Sequence, residues 1–523
     1  MANLGSINAL KDDSIDTSVT TNGARQNTGA RVNVCLNDIV DTLTGSPVVS
    51  TGVSNPSSVF ASAAQGLLAE TAIQPNEILP VATDGVLTGN TIWVDAVNGD
   101  DDTAVVGRQD LPFLTLTAAK DAADAGNLIH VRPATYGVDD NLAADGVNWH
   151  LENGVTIRIE ATSDVDLFGD GGRAMSFNIT GSGILETNPT DSFISHLISV
   201  TNASSSVNVQ CLDIVNIGGK ASGFFSNPIN HEGGELSVAC RDIKVTGSGA
   251  GYPVWWKDGA LNIMARTIGQ YSDGSGGAAV SLTTVNQPVG EAYIQADLIE
   301  SQNAGSAAIQ QGVNFDTPTN NSTARAWVNA LQVIGDISPS NSEAIYKSDG
   351  GNLYVTAQKI TGAWTSSGDY GELYVDVQKV QTYDTDDPTP IINLSGLKSF
   401  VNIGNLTDGD NNDTLLTVAA GTQVLHISQL KRDNNKSAIE VSGGTLILNS
   451  SRIDTSIDDK AFPIVKSGGD LVLNSCVLIS EGLQNSIYAP EKQDVVSYGS
   501  YANNAVDSNV TVDGLLTVGA YVA

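Results

Sequence analysis

Ala438-Ile439-Glu440-Val441, then Gly443-Gly444, then Thr445-Leu446-Ile447-Leu448 reads as a short apolar run, a paired-glycine turn and an alternating strand. The same order returns in Ala344-Ile345-Tyr346 with Gly350-Gly351-Asn352-Leu353-Tyr354-Val355. It returns again in Pro463-Ile464-Val465 with Gly468-Gly469-Asp470-Leu471-Val472-Leu473, and in Glu232-Gly233-Gly234-Glu235-Leu236-Ser237-Val238. A unit of this size cannot bury its own apolar face, so copies must stack on one another. The strand anchors after the turn are Leu236, Leu261, Ala292, Ala326, Leu353, Leu373, Phe400, Val424, Leu446 and Leu471. Most are separated by about 20 to 27 residues, the length of one turn of a stacked strand solenoid. Two longer gaps imply loops inserted near 284–290 and 316–323. Roughly fifteen such turns at ~4.8 Å each give a rod on the order of 70 Å.

The chain of 523 residues contains 53 glycines and is only 16% charged, which suits many short strands and turns. A net charge of −33 with no basic stripe excludes a nucleic-acid face, which needs clustered Lys and Arg. No run approaches the ~18 apolar residues of a membrane span, so membrane insertion is not expected. The start, Met1-Ala2-Asn3-Leu4-Gly5, has neither the basic nor the apolar part of a secretory signal.

Four regions follow. Residues 1–50 contain a helical stripe of Val32, Leu36, Ile39, Val40 and Leu43, closed by Gly45 and Pro47. One amphipathic helix cannot bury its own stripe, so these five residues are candidates for docking on a partner. Residues 51–90 read as a linker or extended arm. Residues 91–127 form a strand and a cap helix, and 128–523 the repeated body. An open solenoid end exposes strand edges, which a partner or a symmetric neighbour must cover.

The string Trp93-Val94-Asp95, Gly99-Asp100-Asp101, Leu111-Pro112-Phe113, Thr117-Ala118-Ala119 and Ala125-Gly126-Asn127-Leu128-Ile129-His130-Val131-Arg132-Pro133-Ala134-Thr135-Tyr136 resembles the opening of pectin-lyase-like proteins. Asn127 and Ala134 stand where that family usually has Asp and Gly. The resemblance implies a mainly β fold, a right-handed parallel β-helix preceded by a cap helix. It covers about 45 residues, and the family holds both enzymes and inert shafts. The leader Thr28-Gly29-Ala30-Arg31-Val32-Asn33 with its helical stripe resembles the attachment leaders of bacteriophage tail fibres and tailspikes. That implies a virion appendage, a tail fibre, tailspike or head fibre. Such a protein would be assembled as a homotrimer, dock on other virion proteins through its N-terminus and meet a host-surface polysaccharide. The alternative is a polysaccharide depolymerase on the same scaffold; a secreted adhesin fits less well, lacking an export signal.

Candidate chemistry is sparse. Asp100/Asp101/Asp102, Asp384/Asp386/Asp387, Asp408/Asp410/Asp413 and Asp458/Asp459 fall in polar turns, where Asp bonds to the turn backbone. Asp408 to Asp413 spaces oxygens as calcium loops do but lacks the closing Glu. The five histidines are scattered, and Cys35, Cys211, Cys240 and Cys476 match no zinc spacing. No catalytic residue, metal site or cofactor is expected. Aromatics crowd residues 252–383, and Trp255, Trp256, Trp327, Tyr354, Trp364 and Tyr374 are the candidates for glycan, receptor or subunit contact. Tyr354 and Tyr374 occupy equivalent places in adjacent copies. If Leu353/Val355 and Leu373/Val375 point inward, alternation turns both tyrosines outward as a ladder. Inward core packing is the competing reading for all six.

Overall fold

The computed structural model describes residues 90–518 except 161–164, 188–194, 218–226, 248–250, 273–277, 284–289, 302–309, 317–323, 336–341, 349, 369–370, 382–391, 397, 408–413, 433–435, 456–461 and 481–484. The chain divides into Met1–Val86 and Leu87–Ala523. The docking stripe Val32, Leu36, Ile39, Val40 and Leu43, the arm 51–89, Cys35 and the aspartate clusters 384–387, 408–413 and 458–459 lie outside the described residues.

The fold is mainly β, and its sheets are parallel. The strand Thr91–Val94 comes first. Helix α1, Leu116–Asp121, follows, and the Thr115 side chain caps it by accepting from the Ala118 N–H at 3.2 Å. Leu116 and Ala119 fasten the helix to the core. The first passes then form two columns. Thr91–Val94, Leu128–Val131, Asn148–Leu151, Ser176–Gly181 and Ser206–Gln210 make one. Thr135–Val138, Thr156–Ile159, Ile184–Thr187 and Asp213–Asn216 make the other.

At Glu235–Gly247 the columns fuse, because this long strand pairs with Ser206–Gln210 at one end and Asp213–Asn216 at the other. Long strands then stack in register through Ala260–Ser272, Glu291–Ser301, Arg325–Ile334, Asn352–Thr361, Glu372–Gln381, Lys398–Thr407 and Thr422–Lys431. Beyond them the ladder splits again at Ser450 and Ser475, whose positive φ values of 46° and 55° break the strand. It rejoins in Gln493–Ala502, so six strands from Thr422–Lys431 onward close a ring of pairings. Between the long passes lie the short strands of a second, thirteen-stranded sheet, from Val165–Gly169 to Ile487–Tyr488. The chain thus visits the two sheets alternately, and the inward side chains of both form one continuous apolar core.

The glycine pairs have a steric cause. Gly444 and Gly469 have φ of 65° and 63°, a region that L side chains rarely adopt. A Cβ on Gly469 would also lie 2.4 Å from the Gly444 carbonyl oxygen of the neighbouring pass. Gly469→Ala is therefore expected to cost about 2 kcal/mol or more, read as a lower urea midpoint. A midpoint unchanged from wild type would refute this. The turn carbonyls are capped from inside. The buried Lys466 Nζ donates to Gly469 O at 2.6 Å, and the buried Lys347 Nζ to Gly350 O at 3.0 Å. Burial holds the Lys466 ammonium below its usual pKa.

Two anchors need correction. Leu373 pairs with Ser399, and Ser399 with Gln423, so Phe400 and Val424 are not the inward residues of their strands. Ser399 and Gln423 are fully buried instead, and Gln423 Nε2 donates to the carbonyls of Gly396 at 2.8 Å and Ala420 at 2.9 Å. A polar side chain is tolerated in the core here because it closes the adjoining turn.

Candidate functional site

Parallel register places equivalent residues of successive passes directly beside each other, so one outward position becomes a column. Asn262, Tyr293, Trp327, Tyr354, Tyr374, Phe400 and Val424 share one such column. Its five rings form an unbroken stack. The centroid separations are 4.4 Å for Tyr293–Trp327, 5.3 Å for Trp327–Tyr354, 4.6 Å for Tyr354–Tyr374 and 4.8 Å for Tyr374–Phe400. The interplanar angles are 12° or less. These separations match the strand spacing of ~4.8 Å, so the stack is a direct product of the ladder.

Polar groups trim its edge. The Tyr293 hydroxyl donates to Glu291 at 3.1 Å, and the Tyr374 hydroxyl makes a very short bond to Glu372. That bond pushes the Tyr374 phenol up to about 12 and, together with Lys398, holds the Glu372 carboxyl below its usual range. Lys398 Nζ donates to Glu372 at 2.9 Å and lies 4.5 Å from the Phe400 ring centre.

Beside the stack runs an open groove of about 400 Å³. The Tyr354, Tyr374 and Phe400 rings line it, together with Thr356, Asp376, Asn402, His426 and Asn449. Asp376 Oδ1 accepts from Asn402 Nδ2 at 2.8 Å. His426 Nδ1 lies 2.7 Å from the Asn449 carbonyl, which can only accept, so Nδ1 carries the proton. Nε2 is then left as an acceptor, 3.3 Å from the Ser428 hydroxyl. A second hollow of about 310 Å³ continues beside it, with Gln295, Asp297, Asn329, Gln358 and Gln378 in its lining.

The six sequence candidates separate cleanly. Trp327, Tyr354 and Tyr374 stand in the outward stack. Trp255 also faces outward, with Lys257 Nζ 4.0 Å from its ring centre, but in the other sheet. Trp256 and Trp364 are 0% and 1% exposed and belong to the core, so neither can make a surface contact. The stack also changes how the aromatics can act. Ring faces along the column are taken by neighbouring rings, so the groove meets ring edges rather than faces.

Sequence reasoning missed Phe400, taken as core, together with Asp376 and His426. A signal for the ring column was present. Glu291-Ala292-Tyr293-Ile294, Arg325-Ala326-Trp327-Val328, Asn352-Leu353-Tyr354-Val355, Glu372-Leu373-Tyr374-Val375 and Lys398-Ser399-Phe400-Val401 repeat one four-residue pattern. The polar residues of the groove carry no such pattern. Trp327→Ala removes two stacked contacts and is expected to cost about 1–3 kcal/mol in a urea melt. A cost no larger than that of an isolated surface substitution would show that the rings do not cooperate.

Elsewhere, Asp213 and Asp242 stand side by side on neighbouring passes. Arg241 grips Asp213, and Arg266 and Lys244 reach Asp242 at 3.0 and 3.2 Å. Cations thus engage both carboxylates. Among the described residues no group of three or more His, Cys, Asp or Glu is arranged to hold a metal ion. No helix among them is long and apolar enough to cross a membrane. Compared with known protein families, curated proteins and solved structures, the chain gives no match.

Proposed function

We propose that the chain is a right-handed parallel β-helix shaft of the tail-fibre or tailspike kind, which binds a host-surface polysaccharide in the groove beside the aromatic stack. The observation that carries this reading is the direction of the groove. It runs across successive passes from Tyr354 to Asn449 and is lined both by ring edges and by hydrogen-bonding side chains. A linear glycan has the same needs, apolar C–H edges beside regularly spaced hydroxyl partners. On this reading the protein works on a virion as a homotrimer, with the segment 1–50 and its Val32, Leu36, Ile39, Val40 and Leu43 stripe docking on other virion proteins. Lateral packing of three copies covers apolar strand edges and the open end of the ladder.

A depolymerase is the weaker reading: hydrolysis of this type takes two carboxylates ~5 to 10 Å apart, Asp376 is the carboxylate of the main groove, and the second, Asp297, lines the adjoining hollow rather than the groove. The test is titration of the purified protein with capsular polysaccharides and lipopolysaccharides from a panel of bacteria, followed by sizing of each glycan. Saturable binding without shortening supports the shaft. Shortened chains replace it with the enzyme, and no binding to any member removes the glycan. A light-scattering mass of one chain, 54.3 kDa, rather than three would undo the trimer.

A further inference from the structure

We infer that the groove beside the aromatic stack selects uncharged glycans over those bearing carboxylates, and that Asp376 is the selecting residue. The inference rests on the glycan reading above and names its ligand class. Asp376 lines the groove and, among the described residues, has one protein donor, the Asn402 amide at 2.8 Å, and no ion pair. The cation nearest along the stack, Lys398, already serves Glu372 at 2.9 Å and covers Phe400. Lys359 and Lys379 come three residues further along their strands than Thr356 and Asp376 and do not line the groove. The other polar side chains of the groove are hydroxyl, amide or imidazole, with His426 Nε2 as an acceptor.

This set of groups suits a polyhydroxylated chain. A carboxylate accepts from the two hydroxyls of a vicinal diol through charge-assisted bonds, stronger than neutral ones. The strand spacing of ~4.8 Å is comparable to the length of one pyranose ring, so a chain lying along the stack offers hydroxyls at each pass. A uronate in the same place brings its carboxylate against Asp376, and no Lys or Arg among the described residues lines the groove between them. Like charges at a few ångströms repel, and the net charge of −33 adds a long-range field of the same sign.

The experiment uses the full chain and matched pairs of probes. A (1→4)-linked glucan, mannan and galactan are each titrated calorimetrically with primary hydroxyls intact and after their oxidation to carboxylates. Titrations are run at low and at physiological salt. Wild type is expected to bind at least one neutral probe, and its oxidised form at least about tenfold more weakly at low salt, equivalent to about 1.4 kcal/mol. Salt should narrow this gap. In Asp376→Asn, whose fold is checked by circular dichroism, the gap should shrink to about threefold or less. Equal or tighter binding of the oxidised forms overturns the inference and leaves the glycan reading standing. A gap that Asp376→Asn leaves unchanged overturns the role of Asp376. Failure of every probe in both forms overturns the glycan reading and this inference with it.

Discussion

Acidification from pH 7 to 4 is expected to remove about 3 kcal/mol of stability through His231. Its ring lies in the core between Val200 and Trp256 of the neighbouring passes, fully buried. Among the described residues neither ring nitrogen makes a hydrogen bond of good geometry, although the Gly234 and Gly233 backbone lies close enough to favour the charged ring. Burial pushes its pKa down to about 4 from 6.5, against a smaller opposing pull from the Gly234 and Gly233 backbone. A depressed histidine pKa means that the unfolded chain takes up the proton first. The contribution is complete above pH 6.5 and is lost as pH falls through about 4. At ~1.4 kcal/mol per pH unit, this window gives the stated figure.

His196 and His150 act in the same direction. Burial lowers both, and for His196 it outweighs the opposing pull of Asp166 and of the Asn227 backbone. The carboxylates with lowered pKa, among them Asp95, Asp140, Asp170 and Asp242, lose their contribution only below the ordinary carboxylate range. They do not account for losses between pH 6.5 and 4. Urea melts at pH 7, 5.5 and 4 test the prediction. His231→Phe should flatten the profile across this window by about the amount that His231 supplies. A variant as acid-sensitive as wild type would show that the proton goes elsewhere.

Truncation of the buried tryptophans is expected to be the costliest single change in the ladder. Trp256→Ala and Trp364→Ala each empty a large core volume and should cost about 3–5 kcal/mol. Trp256 loses a bond as well, since its Nε1 donates to Gly259 O at 3.1 Å in the following turn. The Trp364 indole N–H has no partner among the described residues, so Trp364→Phe should be much milder than Trp364→Ala, with a smaller cavity and no buried polar group left over. Chemical melts of the three variants decide this. An Ala variant within about 1 kcal/mol of wild type would place its ring outside the tightly packed core.

Much of the fold is legible from local pattern. The Gly443-Gly444 and Gly468-Gly469 pairs mark turns because the φ of the second glycine of each admits little else, and the two-residue alternation after them marks strands. The cap region was also readable. Residues 91–127 read as a strand and a cap helix, and they hold the strand Thr91–Val94 and the helix Leu116–Asp121. The outward ladder of Tyr354 and Tyr374 depended on Leu353, Val355, Leu373 and Val375 pointing inward, and all four are buried.

The failures share one cause. Which face of a strand points inward is a parity, and a slip of one residue reverses it. Ser399-Phe400 and Gln423-Val424 offer an apolar residue beside a polar one, and hydrophobicity alone chooses the wrong member. Trp364 follows the same logic. The register shifts between Glu343 and Ile345 against the strand Ala363–Ser366, and this shift sets Trp364 beside Ile345 in the core.

By itself, then, the sequence determined that this protein stacks parallel strands through glycine turns and that aromatic residues recur on one side of them. Those properties depend on neighbours a few residues apart. Tertiary structure alone decided that Trp256 is inside while Trp255 is outside, that Phe400 completes the ring column, and that Asp376, Asn402 and His426 share one groove. These three come from consecutive passes, and only the register of the stacked strands sets them side by side.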